Sequence, residues 1–116
     1  MDELVGRLVA NIGIDRAVAE KAVAIILAFL LKEGPADKVQ ALIDQFPGAD
    51  AAVKAESDNI GMGGIMGVGT KLMAAGLSMS EMQGVTREII GFSREKVGED
   101  TVGEIVGSIP GLGQFI

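Results

Sequence analysis

The sequence predicts an all-α fold: two tandem three-helix repeats packed as a single six-helix domain with pseudo-twofold symmetry. Three observations carry that expectation. Apolar residues recur at helical spacing along most of the chain, and no segment alternates with the period of a strand. The chain also matches itself without a gap when displaced by 63 residues. Val5-Gly6 then falls on Val68-Gly69, Gly13-Ile14 on Gly76-Leu77, Phe29 on Phe92, and Pro47-Gly48 on Pro110-Gly111. Shared helical composition explains matched apolar positions. Matched glycine and Pro-Gly punctuation needs a common plan.

Repeat one covers residues 2–48. Leu4, Val5, Leu8, Val9 and Ile12 share one helical face, and Gly13 ends that helix. Asp15 is placed to cap the second helix, which runs to about Glu33, where Gly34-Pro35 breaks it. Pro35 opens the third helix, striped by Val39, Leu42, Ile43 and Phe46 and stopped by Pro47-Gly48.

Residues 49–64 read as a linker, and repeat two covers residues 65–111. Ile65, Val68, Leu72 and Met73 supply its first helix, ended by Gly76. Ser78 and Glu81 form a capping box for its second, whose inner face holds Met82, Val85, Ile89 and Phe92. Val102, Ile105, Val106 and Ile109 stripe its third. Gly84, Gly91, Gly103 and Gly107 lie inside these helices at about 1 kcal/mol each relative to Ala. Such residues imply close helix approach or a less stable second repeat.

Composition narrows the function classes. The 116 residues are 48% hydrophobic and 22% charged, enough for a packed core without staples. The chain has no Cys and no His, which excludes Ser-His-Asp and Cys-His nucleophiles, iron–sulfur ligation and nearly all structural zinc sites. A net charge of −6, with ten basic residues scattered among sixteen acidic ones, argues against nucleic acid and anionic membrane surfaces. The longest apolar run, Ala22 to Leu31, is half the length of a membrane span of about 20 residues, so it reads as a buried core helix. The N-terminus lacks a signal-peptide pattern, and a chain without cysteine suits a reducing compartment; a cytoplasmic location is expected.

The candidate motifs mostly fail on their chemistry. From Gly64 the phosphate-loop spacing reaches Gly69, but Thr70 and Lys71 follow in reversed order and no strand precedes them. Glu56, Asp58 and Gly61 begin a calcium loop, yet Ile60 and Gly67 stand where oxygen ligands belong. Glu56 and Asp58 remain as carboxylates for a magnesium ion, the weakest reading. Glu88 and Glu95, beside Arg87 and Arg94, read as a solvated charged stripe rather than an acid/base pair. No catalytic residue, cofactor or metal ligand is expected.

Two features point to binding. Met62, Met66, Met73, Met79 and Met82 cluster where repeat two begins, and flexible thioethers build adaptable surfaces as well as cores. The helix that is apolar all round needs cover on every side, from the other repeat or from a second chain. The leading expectation is a non-enzymatic helical protein that self-associates or binds another protein. The alternative is a carrier of an apolar small molecule or lipid, in a cleft between the repeats lined by Met66, Met73, Met82, Ile89 and Phe92.

The motifs NIGID and QFPGAD in repeat one, with AAGLSMSEM, VGED and SIPGL in repeat two, resemble the VcgC/VcgE-like group of small bacterial proteins without assigned function. The resemblance implies a bacterial, helical protein and brings no site residues with it.

Overall fold

Apolar periodicity is converted into helix along nearly the whole chain. A computed structural model describes residues 2–57, 64–109 and 111–115. Among these are seven α-helices and one 3-10 turn, and no strand. The helices are α1 (Asp2–Ile12), α2 (Arg16–Glu33), α3 (Ala36–Ile43), α4 (Ala49–Ser57), α5 (Gly64–Ala74), α6 (Met79–Val97) and α7 (Glu99–Gly107), followed by the turn Leu112–Phe115. The chain is all-α, with a radius of gyration of 12.5 Å. A compact chain of this length has about 13 Å.

The expected six helices are therefore seven. The added one is α4, at the start of the segment read as a linker. Its Ala49 and Val53 lie one turn apart and are buried. α2 packs more extensively against α4 than any other two helices pack against each other. This explains why the central run of α2 has no polar face. Its residues from Ala22 to Leu30 are all buried, with α1, α3, α4 and α5 around them. Small side chains, Ala17 and Ala24 on α2 with Ala52 and Ala55 on α4, border the groove between the two axes. The cover that α2 demands is supplied within the chain.

α6 shows the contrast. Displaced by 63 residues, Ala17 and Ala24 of α2 correspond to Ser80 and Arg87 of α6. Both are exposed, and that side of α6 faces solvent. Its other side buries Met82, Val85, Ile89 and Phe92, the four residues expected there. Buried Thr86 and Ser93 donate to the carbonyls of Met82 and Ile89 at 2.8 and 2.7 Å, so neither hydroxyl is left unsatisfied.

The outer helices cross between halves: α1 lies on α6 as well as on α2, while α5 lies chiefly on α2. Polar stitches follow the same route. Arg7 of α1 pairs with Glu95 of α6 at 2.7 Å, and Lys38 of α3 pairs with Glu104 of α7. α1 and α5 both end in glycines with left-handed backbone, Gly13 at φ 81° and Gly76 at φ 108°. Side chains are strained in that region, which is why the stop signal is glycine in each case.

Helix caps divide. Ser78 and Glu81 form the full capping box, with backbone-to-side-chain distances of 2.9 and 3.2 Å. Asp15 occupies the N-cap position of α2 with extended backbone, but its carboxylate makes no capping hydrogen bond. α2 instead depends on burial. Pro35 sits at the N-cap of α3, one residue ahead of its expected place inside the helix.

The glycines inside the helices also divide. A Cβ on Gly84 would lie 2.6 Å from Cδ1 of Ile12, so α1 and α6 approach closely there. Gly91, Gly103 and Gly107 have nothing within 4 Å, and close packing does not offset their conformational cost. Gly91→Ala and Gly103→Ala are each expected to raise unfolding free energy by about 0.5–1 kcal/mol. Gly84→Ala, which must displace Ile12, is expected to gain nothing or to destabilise. Urea midpoints of the three variants check this: an equal gain at all three positions would show that Gly84 is not a contact glycine.

Candidate functional site

The five residues expected to line one cleft do not share a surface. Met66 and Met73 are 78% and 57% exposed, whereas Met82, Ile89 and Phe92 are 4%, 0% and 3% exposed. The split follows from helix geometry. On α5, Val68 and Leu72 face the core, while Met66, Thr70 and Met73 face outward. Met73 was expected on the inner face; it lies one residue past Leu72, rotated by about 100° out of the core. Met79, in the first turn of α6, is 60% exposed. It lies one turn before Met82 on the same face, but the helix start projects beyond the core. The sequence signal for Met79 was its place at the first position after the Ser78 cap, where neighbouring helices no longer reach.

Beneath α5, between α2, α6 and the turn, is an apolar cavity of about 30 Å³. Ile26, Phe29, Val68, Leu72, Met82 and Leu112 are among its lining residues. It is roughly a tenth of the 300 Å³ at which ligand pockets begin. Larger hollows exist, but they are open notches on the surface. One of about 380 Å³ is walled by Lys21, Glu56 and Lys71 together with Ile25, Ala74 and Ala75.

That notch shows the surroundings of Glu56, one of the two carboxylates of the magnesium reading. The carboxylate stands between two ammonium groups, 3.9 Å from Lys21 and 3.8 Å from Lys71. Two cations already balance it, so a third is repelled rather than recruited. Asp58 lies outside the described residues. No group of three or more acidic side chains placed to hold a metal ion occurs among the described residues. The triad instead ties the end of α4 to α2 and α5.

Phe92 is the base of a second cluster. Its ring stacks on Phe46 at 5.4 Å, with 28° between the planes. The guanidinium of Arg7 and the ammonium of Lys96 lie 5.1 and 5.2 Å from its centroid. Arg7 donates to Glu95, and that hydrogen bond raises its pKa above the ordinary value. Glu95 thus takes part in an ion pair between α6 and α1. Phe92 joins the two halves, and with Phe46 and Lys96 it borders an open surface notch of about 230 Å³ that none of the four other residues expected beside it lines.

No protein family, curated protein or solved structure matches the chain. No helix among the described residues is long and apolar enough to cross a membrane.

What remains as a candidate site is the outer face of α5. It carries two large apolar side chains, Met66 and Met73, two helical turns apart. Gly67 and Gly69 beside them leave bare backbone, with nothing within 4 Å of a Cβ at either position. Met82→Ala is expected to cost about 2–4 kcal/mol of unfolding free energy by enlarging the cavity at Phe29 and Leu72. Met66→Ala and Met73→Ala are expected to change it by less than about 0.5 kcal/mol. Denaturant titrations of the three variants measure this, and equal losses would place the outer methionines in the core.

Proposed function

We propose that this chain is a non-enzymatic helical interaction protein that self-associates through the outer face of α5. The observation carrying the reading is the exposure of Met66 and Met73, 78% and 57%, on one face of a short helix. Large apolar side chains set side by side in water favour association, and flexible thioethers adapt to a surface like their own. A second copy is the occupant that charge favours. Each chain carries −6 overall, yet the Met66–Thr70–Met73 face carries no charge, and Lys71 beside it is turned toward Glu56. Two such faces meet without repulsion in an isologous contact. With α5 about 16 Å long, the interface is small and exchanges rapidly.

Duplication of a three-helix unit is part of the same proposal. Displacement by 63 residues carries α1, α2 and α3 to within about one residue of α5, α6 and α7. The left-handed glycines Gly13 and Gly48 correspond in the same way to Gly76 and Gly111. In the same register the turn Leu112–Phe115 stands where α4 begins. The resemblance to the VcgC/VcgE-like group and the cysteine-free composition support a bacterial, cytoplasmic setting.

The carrier reading is less well supported, since the apolar cavity of about 30 Å³ admits little more than one small group.

Sedimentation velocity over a concentration series tests the proposal. The expected result is a mass rising from 12.0 kDa toward twice that value. Met66→Glu with Met73→Glu is expected to hold the chain monomeric with an unchanged helical circular dichroism signal. A wild-type chain that stays monomeric at millimolar concentration ends the reading.

A further inference from the structure

We infer that Met66, Met73 and Met79 form a reversible oxidation site for peroxide-class oxidants, set apart from a protected thioether at Met82. The chain contains no Cys, His, Trp or Tyr, so two-electron oxidants find methionine sulfur as its reactive side-chain group. The reaction needs no base, metal or cofactor. The thioether sulfur attacks one peroxide oxygen and the O–O bond breaks. The sulfur gains that oxygen and is oxidised by two electrons. The displaced oxygen takes the proton and leaves as water or an alcohol. Access to the sulfur therefore sets the order of reaction.

The fold separates access sharply. Met66, Met79 and Met73 are 78%, 60% and 57% exposed, while Met82 is 4% exposed. A sulfoxide on the outer residues projects its polar S=O group into water and disturbs no packed atom. At Met82 it would face Ile26, Phe29, Val68 and Leu72 around a cavity of about 30 Å³. The one hydroxyl in that lining is Thr86, and it already donates to the Met82 carbonyl at 2.8 Å. An S=O group there is buried without a partner, which costs about 1–3 kcal/mol and opposes oxidation in the folded state. Met1 and Met62 lie outside the described residues.

Oxidation of the outer set turns the α5 face from apolar to polar while leaving the core intact. The consequence is release of associated copies by oxidant and recovery by sulfoxide reductases. This control rests on self-association through α5; the order of oxidation does not.

The test treats the full chain with hydrogen peroxide at a concentration where sedimentation gives a monomer, with peptide mass mapping over time. Met66, Met73 and Met79 are expected to gain one oxygen each at rates within about threefold of free methionine, and Met82 at least about tenfold more slowly. The helical circular dichroism signal is expected to persist, and a mixture of the two epimer-specific sulfoxide reductases to remove the added oxygen. The triple variant Met66→Leu, Met73→Leu, Met79→Leu is expected to keep its fold and take up no oxygen on that timescale at those positions or at Met82. Oxidation of Met82 as fast as the outer three overturns the inference, as does loss of helical signal with the first oxygen gained. If the chain oxidises in the expected order but never dimerises, only the association reading falls.

Discussion

Complete burial of the middle of α2, Ala22 to Leu30, is the constraint on which the rest of the structure depends. A helical segment with no polar face must be enclosed, and each large side chain of that run contributes about 1.5–3 kcal/mol only if water is excluded. Four other helices supply that enclosure. α1 and α3 come from the same half, α5 crosses from the other, and α4 closes the remaining side. Alanines on both α2 and α4 make the last contact intimate. α6, with Arg87 where α2 has Ala24, makes no such demand and keeps one side wet.

The two central helices therefore set different roles for the two halves. The first half holds the interior. The second half holds most of the glycines and all the described methionines. Its α6 ends at Gly98, which also opens α7, so two helices share one left-handed residue at φ 92°. Its first helix, α5, has core contacts from Val68 and Leu72 and presents Met66 and Met73 outward. Among the described residues, the three most exposed large apolar side chains, Met66, Met79 and Met73, all lie on this half.

Much of this was readable from the residues. Six helices follow from apolar spacing and glycine stops, and the Ser78–Glu81 capping box forms as its spacing implies. α4 was not readable from its own letters. Its sequence ADAAVKAES carries just two buried apolar positions, Ala49 and Val53, beside a glycine-rich stretch. The evidence for it was held by α2, whose surplus of apolar surface announced a missing partner without identifying it. The candidate site was half readable. Clustering in sequence located the methionines, but it grouped outward Met66 and Met73 with buried Met82, and the place of Met79 just after the Ser78 cap was the one local sign of its exposure. Asp15 is a parallel case: the right residue at the right position, with its side chain unused.

The crossing of α1 onto α6 has a consequence for how the protein is made. Arg7 and Glu95, in contact across the halves, are separated by 88 residues. Leu4, Val5 and Leu8 are synthesised well before α6, one of the two helices that cover α1. At about 5–20 residues per second, α1 waits several seconds for α6. Packing of α1 is thus deferred until α6 has been made. During that interval the nascent chain displays an unfinished apolar surface, and a growing polypeptide of this topology is a natural client for the chaperones that stand at the exit tunnel.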